Sequence, residues 1–539
     1  MKKLLADNKL HLLAIAIIFT LFICSIFVRD KELSAELSAE NEWITSHILI
    51  TNHIWEEGGG PSNYHFSPVY TFEGAGNKRI HSLGGVQDEK GDQYYVSYPP
   101  LAFIFAYYST QLFGGSDIYS IRAVGLILHF FCCLLLYLTF KKLHNKKGDF
   151  IAISGLTVVA LYLFSAGTLW MHSILYFSDI LVQLFVIWAI YLAVKLFKSE
   201  VDKNKALLIT IGIIIFLGCY TEWLAVFLAF TLGITFLIFF FKSKKRKYLQ
   251  AFLTVGFAAG LSVTTTILQY SSIAGFDSFK EVSLNKYDER SGHEEADISA
   301  AGYNLDNPES FTLLNKHLTR NFWMAEGVLV IVSILFVLFL LWKKTREKIK
   351  SVQLKIILIS VLAVSIILHY YLFFNFNALH NFSNLKTGYF FIFITGIFIL
   401  LIEEGINIKM KAMLAVFVVL IIALKVPVEL DRFHTFCEES AHAHFYKFSA
   451  DYVNENAPDE VYVFNNLPYT LAEYIYRAKH IPFRVNDTTE IEFFMNYFEA
   501  DYSQYYHHEN LELKYVLEYE RLDDTIMVVN KTIVQPTTP

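Results

Sequence analysis

Three acids border or interrupt the apolar stretches of this chain. Asp179 ends the run Trp170-Met171-His172-Ser173-Ile174-Leu175-Tyr176-Phe177-Ser178, Glu222 breaks an apolar segment at Gly218-Cys219-Tyr220-Thr221-Glu222-Trp223, and Glu42 lies in Asn41-Glu42-Trp43. An unpaired carboxylate within a bilayer costs at least about 2.5 to 3.5 kcal/mol, so such an acid is a candidate base, orienting group or metal ligand. Each also has a plainer reading. Ser178 or Asp179 could cap the following helix and favour its positive end, and Glu222 could be an interfacial acid beside an aromatic Trp. Glu42 and His47 are five residues apart, about 140° around a helix, so His47 and His53 read as solvated or packed.

Cations form a second group. Lys286, Asp288, Glu289, Arg290 and His293 are followed by His317 and Arg320, a charge run that ordinarily would be a solvated face. The turn Asn375-Phe376-Asn377-Ala378-Leu379-His380-Asn381 with Lys386 is more specific, because Lys386 opens an apolar span away from the other lysine clusters. A cation there suits a phosphate at headgroup level.

The elements that must position these residues are membrane helices. With 54% hydrophobic and 18% charged residues, the 539-residue chain is too apolar for a soluble globular protein, which has about 25% charged residues. Apolar windows of helical bilayer length predict about eleven spans, near 10–28, 118–140, 150–168, 179–197, 205–221, 223–241, 248–268, 322–342, 353–374, 386–402 and 411–428. The first is read as a retained span, since Arg29-Asp30-Lys31-Glu32 follows it where a cleaved signal would have small residues.

Basic connections at Lys2 and Lys3, Lys141 to Lys147, Lys242 to Lys247 and Lys343 to Lys350 then fall on one side, the cytoplasm. Loops 29–117 and 269–321, the turn near 375–385 and the C-terminal region face outward. That parity makes the short apolar segment Leu101 to Phe113, opened by Pro99-Pro100, an interfacial helix rather than a crossing. Residues 1–430 are thus expected as a transmembrane domain and 431–539 as a small soluble α/β domain. In the latter, Val461 to Phe464 and Thr525 to Val529 read as strands and Thr470 to Arg477 as a helix. Four of the five cysteines lie in apolar runs, so no disulfide framework is expected, and the net charge of −6 points to no nucleic-acid partner.

The layout resembles the GT-C superfamily of polyprenyl-phosphate-sugar-dependent glycosyltransferases, in particular bacterial relatives of protein O-mannosyltransferases and the lipid A aminoarabinose transferase. The resemblance rests on three segments. Asn41-Glu42 stands where the family writes Asp-Glu after the first span. Tyr94-Tyr95-Val96-Ser97-Tyr98-Pro99-Pro100-Leu101, running into Leu112-Phe113-Gly114-Gly115-Ser116-Asp117 and Arg122, is similar to its Pro-Pro-Leu to Phe-Gly-Ser-x-Arg stretch. Ser178-Asp179-Ile180 matches its second acid before a span. The chain departs from the pattern at Asn41, at Ser97-Tyr98 where the aminoarabinose transferases have Glu-Lys, and at Glu222 where relatives often carry Lys.

The resemblance implies a polytopic α-helical membrane protein of GT-C type with a C-terminal α/β domain in the periplasm, in a bacterial inner membrane. It implies inverting transfer of a sugar from a polyprenyl-phosphate donor to a lipid, glycan or protein acceptor. Glu42 is then expected as the base, with Asp179 orienting the acceptor or sharing a divalent metal ion with Glu42. Asn41, Tyr98, Glu222, Arg290, Arg320, His380 and Lys386 are expected to contact substrate. Two other readings are a polysaccharide polymerase or ligase, which lacks the first-loop acid and Pro-Pro-Leu order, and a secondary transporter, which would place polar groups at the midplane in two repeated halves.

Overall fold

Every one of the eleven apolar windows forms helix in the structure, a computed structural model. It describes residues 9–37, 41–78, 85–145, 150–200, 204–292, 307–341, 352–438, 443–467, 472–509, 512–522 and 525–534. His293, Thr470 and the basic residues Lys2, Lys3, Lys146, Lys147 and Lys343 to Lys350 lie outside them.

From the N-terminus come α1 (Lys9–Phe27), then α2 (Trp43–Glu57) and α3 (Leu101–Thr110) of the first loop. The next run is α4 (Ile118–Leu143), α5 (Ile153–Phe164), α6 (Ala166–Ser173), α7 (Ser178–Lys198), α8 (Lys205–Cys219) and α9 (Trp223–Ser243). It continues with α10 (Arg246–Ala274), α11 (Phe276–Ser291), α12 (Pro308–Leu341), α13 (Val352–Leu372), α14 (Phe374–Leu379), α15 (Leu385–Gly405) and α16 (Ile408–Cys437).

Eight of these are long and apolar enough to cross a membrane, and two bent pairs bring the number to ten among the described residues. The eleventh window is α8, whose 15 residues span roughly 22 Å against about 30 Å of hydrocarbon. The chain is a multi-pass membrane protein.

The window at 150–168 is not the straight span expected. Ser165 adopts an extended backbone (φ −70, ψ 137), and α5 and α6 meet there at 63°. The break is stabilised because buried Glu429 accepts the Ala166 N–H through Oε2 at 2.8 Å, satisfying a donor at the new helix start. Helix α6 then runs to Ser173, through residues read from the sequence as a turn. The second bend falls in α12 at Phe322, whose non-helical backbone (φ −131, ψ 26) parts two segments set at 81°. Gly388 on α15 permits that bend, since a Cβ there would overlap the Phe322 ring.

The chain forms two compact units. Unit 1 comprises Met1–Ser34, Arg122–Thr266 and Leu284–Phe436, and holds most of the spans. Among the eight unbroken spans α7 is the most enclosed, with 78% of its apolar window buried, whereas α16 buries 11%. A helix apolar on all sides can meet lipid or protein equally well, so enclosure is set by neighbours.

Unit 2 comprises Ala35–Ile121, Ile267–Ser283 and Cys437–Pro539. Its sheets are a short hairpin, β1 (Val86–Gln87) with β2 (Gln93–Tyr94), and a five-stranded sheet in the order β4-β3-β5-β6-β7. The latter strands are β3 (Tyr462–Asn465), β4 (Phe483–Arg484), β5 (Tyr502–Glu509), β6 (Glu512–Leu522) and β7 (Thr525–Ile533). β3 pairs in parallel with β4 and β5, while β5, β6 and β7 form an antiparallel meander.

Alternation along the strands builds two cores. Val463 and Tyr506 pack with Val453 of α17 (Ala443–Asn456) and Tyr474 of α18 (Ala472–Ala478), whereas Phe464 and Tyr505 pack with Met495 of α19 (Thr489–Tyr497). The helix and both strands expected here are present, and the tyrosine-rich strands β5 and β6 are additional.

Candidate active site

Asp179 lies in the first turn of α7 and is 7% exposed. Its Oδ2 is buried without a hydrogen-bond partner among the described residues, as are Ser178 Oγ and Gln183 Oε1. Gln183 is one turn further along, so it falls on the face that carries Asp179. Three buried polar atoms thus lie along one stretch at the start of α7.

Glu222 links α8 to α9 in extended conformation (φ −165, ψ 152) and caps α9 by accepting the Leu224 N–H through Oε2 at 2.8 Å. It is buried rather than interfacial. Its Oε1 meets Nε2 of His369, on α13, at 2.9 Å. His369 Nδ1 faces the Asn377 Nδ2 at 3.3 Å. Lys386 Nζ donates to Asn377 Oδ1 at 2.6 Å, which fixes the amide with its nitrogen toward the ring. The ring must then accept at Nδ1 and donate from Nε2 to Glu222, so His369 is the neutral Nε2–H tautomer.

Lys386 also donates to the Ser383 carbonyl, and its ammonium lies 4.9 Å from the Tyr370 ring centre. Tyr370 in turn donates to Asn384 Oδ1 and receives the Thr387 hydroxyl at 2.9 Å. The charges of Glu222, Lys386 and Arg290 all act on Asp179. Two acids and two cations thus share one buried region. Burial alone would raise the Glu222 carboxyl, but His369 and Lys386 outweigh it and hold it below its ordinary value.

The remaining expected residues of unit 1 are placed differently. Arg290 is buried with its guanidinium 5.4 Å from the Phe376 ring centre. His380 stacks on Phe382 and meets Phe376 edge-on; burial, then Arg290 and His317, push it down to about 4, so it is uncharged at neutral pH. Arg320 lies 4.4 Å from the ring centre of Phe436, which stacks on Trp170.

Asn41, Glu42 and Tyr98 belong to unit 2. The helix expected to carry Asn41 and Glu42 begins only at Trp43. Asn41 is left-handed (φ 64), which asparagine tolerates, and Glu42 is the N-cap residue. Glu42 is fully buried, and ten of the fifteen residues of α2 are buried, so α2 is packed on more than one face. It packs against α18, whose Glu473 is raised to about 7 by burial, with the Glu42 charge adding to the shift. His47 packs against Tyr70 and Tyr95, and burial lowers it to about 4. Tyr98 is buried, and its carbonyl accepts the Tyr270 hydroxyl.

A divalent metal ion needs several well-placed ligands. Among the described residues no group of three or more His, Cys, Asp or Glu is assembled for one. In unit 1 the counter-charge to Asp179 comes from Lys386 and Arg290 instead, so the donor set among the described residues does not fit a resident metal.

No family model and no curated protein matches the chain. Solved structures do. The oligosaccharyltransferase AglB of Archaeoglobus fulgidus, in complex with an inhibitory peptide and a dolichol-phosphate, aligns over 91% of this chain and 69% of its own, with a TM-score of 0.54 at 11% identity. ArnT of Cupriavidus metallidurans, bound to undecaprenyl phosphate, aligns over 92% of both chains with a TM-score of 0.52 at 10% identity.

The chain has the GT-C fold.

A third GT-C structure, the A. fulgidus oligosaccharyltransferase with Zn and sulfate, aligns over 91% of this chain and 67% of its own, with a TM-score of 0.50 at 12% identity. Within this GT-C fold, His369, Asn377, Gln183 and Tyr370 complete the acid cluster and were not among the residues singled out from the sequence. Only the crowding of polar residues at 375–386 hinted at Asn377.

The hydrogen-bond pattern predicts an asymmetry between two substitutions. Glu222→Ala strands the His369 Nε2–H and the Leu224 N–H, each costing about 1 to 3 kcal/mol, whereas the carbonyl of Glu222→Gln can still accept from one. Thermal unfolding in detergent should show a drop of several degrees for Glu222→Ala and a smaller one for Glu222→Gln. Equal losses would contradict the assigned tautomer.

Proposed function

We propose that this protein is a glycosyltransferase that moves a sugar from a polyprenyl-phosphate donor to an extracytoplasmic acceptor, a glycolipid, polysaccharide or protein. One observation carries the reading: a buried acid with an open oxygen, Asp179, next to two buried cations at the head of a spanning helix, in a GT-C fold whose relatives were solved with dolichol-phosphate and undecaprenyl phosphate.

In this reading Lys386 and Arg290 hold the lipid phosphate. As the bond between the anomeric carbon and the phosphate oxygen breaks, negative charge grows on that oxygen, and two desolvated cations lower the barrier because they are already oriented. Asp179 orients the acceptor hydroxyl, with Gln183 and Ser178 completing the polar surface, while the pair Glu222–His369 holds Lys386 in place through Asn377. Asp179 also takes the acceptor proton as general base, the acceptor oxygen bonds to the anomeric carbon, and polyprenyl phosphate leaves with inversion. Arg320 and His380 shape the phosphate surroundings. The acid ends of the spans face outward and the lysine-rich ends face the cytoplasm, in a bacterial inner membrane.

The test is purified protein incubated with a panel of polyprenyl-phosphate sugars while free lipid phosphate is followed. Asp179→Asn should lower turnover about 10²- to 10⁴-fold with unchanged folding. Transfer retained in this variant would overturn its role. Orientation is checked by phosphatase fusions, which should be active at the C-terminus and inactive at Lys245; a silent C-terminal fusion would reverse the topology.

A further inference from the structure

The far end of α7 carries a second polar feature, separate from the acid cluster. Nineteen residues separate Asp179 from Lys198, which on one helix is roughly 28 Å, close to the thickness of the hydrocarbon layer. There, within unit 1, a cavity of about 640 Å³ is lined by Lys141 and Lys142 from the end of α4, Lys198 from the end of α7, and a floor of Leu138, Phe150 and Tyr191.

The two helix ends are tied together by their own chemistry. Lys198 Nζ donates to the carbonyls of Leu143 at 2.7 Å and His144 at 3.0 Å, satisfying acceptors that the end of α4 would leave open. The neighbouring acids are engaged elsewhere. Glu403 accepts from the Ile153 and Ser154 backbone N–H groups and from the Ser154 hydroxyl, while Glu404 accepts from the Asn145 N–H and pairs with Lys355 at 2.7 Å. Glu200 is the one acid among the lining residues, against three lysines.

Lysines that only follow the positive-inside tendency would snorkel outward along separate helices. Here they converge from two helices on one concavity whose floor is apolar, with the Lys141 ammonium 5.8 Å from the Phe150 ring centre. That combination of clustered cations over a hydrophobic floor at a bilayer surface matches the headgroup of an anionic lipid and the first carbons of its chains. A free phosphate would use the cations and leave the apolar floor uncovered.

We propose that this cavity binds the phosphate headgroup of an anionic phospholipid from the leaflet opposite the acid cluster. The proposal does not depend on the reaction assigned above. The full-length protein in detergent, titrated with phosphatidylglycerol and read by native mass spectrometry, tests it. With about 1 kcal/mol per lysine near a charged headgroup, Lys141→Gln/Lys142→Gln should weaken the tightest phosphatidylglycerol site roughly 30-fold, and Glu200→Gln should tighten it. Phosphatidylcholine should bind both forms alike, and millimolar inorganic phosphate should leave the site occupied. Unchanged phosphatidylglycerol affinity in the double variant would overturn the proposal. Displacement by inorganic phosphate would also overturn it, by making the cavity a small-anion site.

Discussion

Charge that is taken out of water must be answered, and in this protein the answer is a single connected region. Asp179, Glu222, Lys386 and Arg290 are all buried; Asp179 lies in the field of both cations and Glu222 in that of Lys386. None of the four could be kept ionised in a hydrocarbon-lined bundle alone, because an isolated charge there would neutralise or unfold its surroundings. Asn377 makes the arrangement specific. It takes the Lys386 ammonium on its oxygen and presents its nitrogen to His369, so one amide sets the lysine position and the imidazole tautomer that serves Glu222.

That network is also what gives Asp179 its character. Glu222 is satisfied twice, by His369 and by the Leu224 N–H, and Lys386 is held by Asn377 and Ser383. Asp179 alone among the four keeps an oxygen without a partner in the described residues, alongside Ser178 and Gln183. A buried acid without a partner is costly, and under the proposed function the acceptor hydroxyl is what answers Asp179. It is mounted on α7, the most enclosed of the eight unbroken spans.

Much of this was legible from the sequence, for a definable reason. Ionisable residues are expensive in apolar segments, so Asp179, Glu222 and Lys386 stood out individually, and window length located every membrane helix. Their convergence was not legible: they come from α7, the α8–α9 link and α15, more than 200 residues apart from first to last, and no local pattern encodes that distance. His369 was hidden because a histidine in an apolar span reads as packed, and it is revealed only by the acid it faces. The bend at Ser165 depends on Glu429, which is 263 residues from the Ala166 N–H it accepts, so no propensity near Ser165 announces it. Strands β5 and β6 were missed because their tyrosines, histidines and glutamates blur the alternation that marks a strand; cross-strand pairing and two opposite cores decide the matter instead.

The central proposal is that the Lys386 ammonium and the Arg290 guanidinium, near Asp179, form the place where a lipid phosphate is received, with the Asp179 carboxylate kept for the acceptor. The most direct measurement is an electron cryomicroscopy structure of the full-length protein in lipid nanodiscs with undecaprenyl phosphate added. The account predicts phosphate density within hydrogen-bond reach of Lys386 or Arg290, beside Asp179. Phosphate density seated elsewhere, with Asp179 still enclosed and unoccupied, would contradict it.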